Sequence, residues 1–214
     1  MTLRRWNRRF ALGMALLGLA CGGDGGGTQP PGPPADLVKS GGDGQSWYFN
    51  NPLPTALSVT AVDVDGRAVP GVVIMWAVAS GGGSVTPTQS TTNANGVATT
   101  TDSIGGSTIQ MVNATFTGLA GPVSFTEHAT TPPTSAAVNV GDNFFDKASV
   151  VVQVNSAVTW TWTGQVGHSV TFTGGPDSGV QPSGTFQRTF TSTGVFNYFC
   201  KVHGGMTGSV TVVH

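Results

Sequence analysis

From about residue 36 onward, apolar residues recur at alternate positions in short runs, and Gly, Asn, Asp and Pro divide one run from the next. A period of two is that of a half-buried strand, whose side chains point to opposite faces in turn. ALSVTAVDVDG, VPGVVIMWAVA, GVATTTDS, TIQMVNATF and PVSFTEHAT are strand candidates in residues 36–131. AAVNVG, SVVVQVN, AVTWTW, HSVTFTG, TFQRTFT, GVFNYFC and GSVTVV follow in residues 136–214. No long stretch after residue 20 keeps a 3.6-residue apolar period. The pattern predicts an all-β chain of two sandwiches, joined by TPPTSA at 131–136, the second with Greek-key connections. Asp65-Gly66 and Pro70-Gly71 supply turns within the first sandwich. Met75 and Met111 lie inside apolar runs and are expected in its core.

The beginning of the chain has a different pattern. Residues 1–20 place Arg4, Arg5, Arg8 and Arg9 ahead of an apolar segment from Phe10 to Ala20, too short to span a bilayer stably, as in a secretory signal. LLGLAC resembles a bacterial lipoprotein signal, which implies a lipidated Cys21; the alternative is an ordinary cleaved signal with an incidental cysteine. Residues 22–35, GGDGGGTQPPGPPA, cannot form a packed core and read as a tether reaching roughly 45–50 Å when extended. The expected location is outside the cytoplasm, in the periplasm or at the cell surface, and Gly22 after the cysteine favours the outer membrane. The formal net charge is −1, but setting aside those four arginines leaves five Lys or Arg against ten Asp or Glu, about −5. No basic surface remains for nucleic acid.

Candidate chemistry concentrates near the C-terminus. Cys200, His203 and Met206 fall in one short turn between apolar runs, and His168 opens another such run. A thiolate, two imidazoles and a thioether form a soft donor set suited to copper in both oxidation states, the blue-copper constellation. Zinc would accept the thiolate and the imidazoles but gains little from a thioether. The bland alternatives are a buried free cysteine with structural histidines, or a disulfide to Cys21, the other cysteine. The chain has four histidines, too few for the further copper centres of an oxidase or a nitrite reductase. No Ser-His-Asp set or convergent carboxylate pair suggests another active site. His128 stands alone and receives no role, and His214, the last residue, is expected to fray.

Two family resemblances extend this reading. Val62-Asp63, Gly66, Val69, Gly71 and Trp76, followed by Asn95-Gly96-Val97-Ala98, resemble a bacterial Ig-like domain of the invasin and intimin type, which implies a spacer or an adhesive module. Asp63 and Asp65 could pair on calcium but read as turn formers. DNFFDKASVVVQVNSAVTWTW, GHSVTF and YFCKVHGGMTGSVTV resemble the plastocyanin and amicyanin group of cupredoxins. The resemblance implies one type 1 copper ion, with Cys200 as the thiolate ligand, His168 and His203 as equatorial imidazoles and Met206 as the weak axial ligand. It also implies a surface-facing His203, with Gly204 and Gly205 leaving the rim open. Ser169 stands where the family often has an Asn that tethers the cysteine loop; its hydroxyl can still donate, with a shorter reach, so a retuned site rather than a lost one is expected. Phe199 stands where plastocyanin has a Tyr. The expected function is one-electron transfer with redox partner proteins, by a non-enzymatic carrier held from a membrane by its lipid anchor and Ig-like spacer. The competing expectation is a cell-surface binding or adhesion module whose copper serves storage or stability.

Overall fold

The computed structural model describes residues 29–214, so the signal segment, Cys21 and the first half of the tether lie outside the described residues. Those described form strands and no helix. In the first half the strands are β1 (Asp36–Gly41), β2 (Ser46–Tyr48), β3 (Leu57–Val62), β4 (Val73–Ser80), β5 (Gly83–Thr86), β6 (Gln89–Thr91), β7 (Val97–Ile104), β8 (Ile109–Thr115) and β9 (Val123–Thr130). They build a four-stranded sheet, β1-β3-β7-β5, and a five-stranded sheet, β2-β9-β8-β4-β6. Leu57, Val59 and Ala61 of β3 alternate inward and join Ile74, Trp76, Val112 and Phe125 of the other sheet in one core.

Three details depart from or sharpen the expectation. Met75 and Met111 are on the outer face, 38% and 36% exposed, because Ile74, Trp76, Gln110 and Val112 take the inward positions on either side of them. An unbroken apolar run such as VVIMWAV hides this parity. Asp63 is a turn former: its carboxylate accepts the backbone N–H groups of Gly32, Asp65 and Arg67 at 2.8, 3.0 and 2.8 Å. His214 is tied down rather than frayed, its N–H donating to Asn51 Oδ1 at 2.9 Å.

The second half contains β10 (Ser135–Gly141), β11 (Phe144–Asp146), β12 (Ser149–Gln153), β13 (Ser156–Trp162), β14 (Thr171–Phe172), β15 (Thr185–Phe190), β16 (Gly194–Phe199) and β17 (Thr207–Val213). One sheet runs β11-β10-β13-β15 and the other β12-β17-β16-β14. The pairs β10–β13 and β12–β17 are parallel, which requires the intervening chain to cross between sheets. β13 shows the alternation most cleanly, with Val158, Trp160 and Trp162 inward and their neighbours half exposed. Trp160, fully buried, meets Phe172 and Tyr198 edge-on at 5.7 and 5.2 Å between ring centroids. Each such pair contributes about 0.5–1.5 kcal/mol beyond area burial. The contacts bind the β13 sheet to β14 and β16, the two strands flanking the cluster described next.

Candidate metal centre

β16 and β17 form a hairpin whose last pair is Phe199–Thr207, so the connection Cys200–Met206 stands at one end of the second sandwich. Its ends are closed by the Cys200 N–H donating to the Met206 carbonyl at 3.0 Å, and the Met206 N–H returns to the His203 carbonyl at 3.4 Å. Gly205 makes the turn with φ of +84°, a conformation that a Cβ disfavours. Cys200 and Met206 face inward and are nearly inaccessible, whereas His203 is half-buried.

His168 reaches this loop through strand register. β14 pairs with β16, Thr171 opposite Phe199 and Phe172 opposite Tyr198, and the two residues ahead of Thr171 continue toward Cys200 and Lys201. The His168 backbone is bridged to Gln181 in both directions, at 3.1 and 2.9 Å, and its carbonyl accepts the indole N–H of buried Trp162 at 3.0 Å. With the main chain held from both sides, the fully buried imidazole presents Nδ1 to Cys200 Sγ at 3.8 Å. His203 presents its own Nδ1 to the same sulfur at 3.6 Å. The imidazole centroids are 4.5 Å apart. Among the described residues this is the one cluster of three His, Cys, Asp or Glu donors within metal-holding distance, every pair of donor atoms lying within 4.8 Å.

The spacing fits a metal ion. With sulfur and nitrogen bonds of about 2.3 and 2.0 Å, the lengths known for zinc, roughly 120° between them leaves the donor atoms about 3.7 Å apart. The observed 3.6 and 3.8 Å fall on either side of that value. Cys200 is a free thiol, so the cluster is not closed off by a disulfide. The donor types, rather than the distances, favour copper.

Ser169 ties the cysteine loop by accepting, rather than by the donation expected of its hydroxyl. The Lys201 N–H donates to Ser169 Oγ at 2.9 Å, and the Ser169 N–H points at Cys200 Sγ at 3.5 Å. Ser169 Oγ lies 3.1 Å from Thr171 Oγ1, which donates to Asp177 Oδ1 at 3.0 Å. A carboxylate only accepts, so the direction of the whole relay is set from its far end: Lys201 N–H to Ser169, Ser169 O–H to Thr171, Thr171 O–H to Asp177. The Lys201 ammonium, paired with Asp177, and the Gly179 N–H hold the Asp177 carboxyl below the usual carboxylate range. Across the site Asp142 is lowered in the same direction, first by the N–H of Val166, then by that of Gln165, and less by His168. Sequence alone assigns no role to Thr171, Asp177 or Asp142. Single residues of these types, in a turn or a short strand, carry no signal until the strands are paired.

Comparison with known proteins settles the family. Over 88 residues the chain is 32% identical to amicyanin-alpha of Methylorubrum extorquens, a match covering 38% of this chain and 74% of that protein. Over this C-terminal part the chain belongs to the amicyanin family of cupredoxins. Solved structures similar to the cupredoxin part include a reduced amicyanin variant, 25% identical over 37% of this chain and 82% of that one, with a TM-score of 0.33. A purple cupredoxin from Nitrosopumilus maritimus is 23% identical over 36% of this chain and 99% of its own, with a TM-score of 0.32. No protein-family model matches the chain.

In this cupredoxin His168, Cys200 and His203 converge, and Met206 is buried in the same loop. Open space surrounds Gly204 and Gly205, while Val202 within the loop and Phe199 just before it are 50% and 36% exposed. His128 is exposed on β9, well apart in sequence and sheet from these residues, and Cys21 lies outside the described residues.

Proposed function

We propose that this protein carries single electrons through one type 1 copper ion held by Cys200, His168, His203 and Met206. The observation that carries the reading is the approach of two imidazole Nδ1 atoms to one buried thiol sulfur, at 3.6 and 3.8 Å, from two separate segments of chain. Copper, when bound, supplies a one-electron couple between its cuprous and cupric states. The chain's contribution is to keep the donors still. The Cys200–Met206 backbone bond, the Ser169 clip on Lys201 and the Trp162 anchor on His168 each restrain a donor independently of the ion. A site restrained in this way changes little in geometry between oxidation states, which favours fast transfer. His203, half-buried beside two open glycines, offers partners the shortest route in. Cupredoxins of this kind are carriers rather than enzymes, and the partners are other redox proteins.

In the same reading residues 36–131 are an Ig-like spacer and residues 136–214 the copper domain. Residues 1–20 are a lipoprotein signal, Cys21 the lipidated residue and 22–35 the tether, so the carrier stands off an extracytoplasmic membrane, the outer one by preference. The buried core of β1 to β9, with Asp63 used up in a turn, supports a structural role for the first half. The test is voltammetry of the copper-loaded protein beside labelling of producing cells with radioactive palmitate. A reversible one-electron wave is expected, and label lost on Cys21→Ser. An electrochemically silent copper protein would overturn the carrier reading, and label retained by Cys21→Ser would overturn the anchor.

A further inference from the structure

We infer that Asp142 is a positioning residue for the metal centre, holding His168 through its outer ring nitrogen and biasing the site toward the oxidised ion. The inference rests on the copper reading above. Asp142 lies in the tight turn between β10 and β11, 26 positions before His168. Its Oδ1 accepts the N–H groups of Gln165 at 2.8 Å and Val166 at 3.1 Å, and lies 3.5 Å from His168 Nε2. The loop that delivers His168 from β13 is therefore wrapped around this carboxylate. Gly164 shows how closely: a Cβ there would come within 2.3 Å of Asp142 Oδ1, so only glycine allows the approach.

The two ring nitrogens of His168 then have separate tasks. Nδ1 faces Cys200 Sγ and must carry a free lone pair to ligate, which leaves the ring proton on Nε2. Nε2 belongs to a ring with no solvent exposure, where an N–H without an acceptor is left desolvated and unpaired. Asp142 is the acceptor that the fold brings to it. A carboxylate behind a ligating imidazole fixes its tautomer and ring orientation and raises its basicity. Its charge also counts in a domain so sparsely charged. Asp177, on the other side of the site, is paired with Lys201, whereas among the described residues Asp142 has no Lys or Arg partner. A net negative charge beside the site stabilises the more highly charged cupric ion over the cuprous one, and so lowers the reduction potential.

Asp142→Asn separates charge from shape, since the amide oxygen still accepts from Gln165 and Val166. Full-length protein and variant are loaded with one equivalent of copper and compared by visible spectroscopy and voltammetry. The expected result is a retained blue band, with cupric affinity reduced about tenfold relative to cuprous. That ratio reads as an upward shift of about 59 mV in potential. An unchanged potential in a folded, blue variant would overturn the inference while leaving the copper site standing. A wild-type protein that binds no copper would remove the reading on which it rests. The tautomer is read independently of metal and of the variant's folding, from nitrogen-15 shifts of the metal-free wild type. The proton of His168 is expected on Nε2, and finding it on Nδ1 would overturn the assignment of Asp142.

Discussion

Glu127→Gln should stabilise the first sandwich at alkaline pH and leave it unchanged at acid pH. Glu127 is fully buried on β9, opposite Gln110 of β8, which is also fully buried. Its Oε2 accepts the Gln45 N–H at 2.7 Å, but Oε1 has no partner. Gln110 Nε2 donates to Oδ1 of the fully buried Asp102 at 2.8 Å, and Oδ2 of Asp102 is likewise without a partner. Burial, helped by the nearby charges of Asp43 and Asp102, pushes the Glu127 carboxyl up from 4.5 to about 7. Burial pushes Asp102 up from 3.8 to about 6. The folded state therefore binds the Glu127 proton more tightly than the unfolded state. Between about 4.5 and 7 it holds more protons, so its stability falls as pH rises through that window and levels off above it. At about 1.36 kcal/mol per pH unit the Glu127 contribution is about 3 kcal/mol. Asp102 adds a loss of the same sign at lower pH, less than additively because the two carboxyls repel. Glutamine mimics the protonated acid and still accepts from Gln45. Urea unfolding followed by tryptophan fluorescence, at intervals from pH 4 to 8.5, should show the variant matching wild type at pH 4 and exceeding it by up to about 3 kcal/mol at pH 8. Wild-type stability that rises across the window, or a variant with no gain at pH 8, would refute the reasoning.

Ser169→Ala removes the acceptor of the Lys201 N–H, and should cost about 1–3 kcal/mol in thermal unfolding while broadening the electron paramagnetic resonance signal of the cupric protein. Unchanged stability and line shape would show that the relay to Asp177 does not hold the loop. Met206→Leu should keep the colour, since thiolate and imidazoles remain, but raise the potential, because the cupric ion depends more than the cuprous on an added donor; voltammetry decides, and loss of copper would contradict a weak axial role. Trp160→Ala empties the centre of the second core and should destabilise it by about 3–5 kcal/mol in chemical unfolding, and a loss under 1 kcal/mol would contradict the account of how the sheets are joined.

The parts of this architecture legible in the chain are those whose signals are local. AVTWTW alternates by itself, and β13 is found where that alternation lies. Cys200, His203 and Met206 are recognisable together because one hairpin connection carries all three. Residues whose role depends on register are hidden. HSVTFTG looks like a full strand, but only Thr171–Phe172 pair as one, because His168 and Gln181 form an isolated bridge that turns the chain toward the loop. The edge strands β2, β5, β6 and β11 are too short for a two-residue period to stand out, and β1 buries only Leu37. Glu127, Gln110 and Asp102 read as ordinary polar positions of half-exposed strands, and only the facing of two sheets makes them interior. Asp142 has the same character: a turn aspartate until the loop from β13 closes over it.

The most direct test of the central claim is the visible and electron paramagnetic resonance spectrum of the protein with one equivalent of cupric ion, run beside Cys200→Ala. The account predicts an intense thiolate-to-copper band with narrow hyperfine splitting, bleached by ascorbate and absent from the variant. A colourless cupric protein, or a blue band that survives the loss of Cys200, would contradict it.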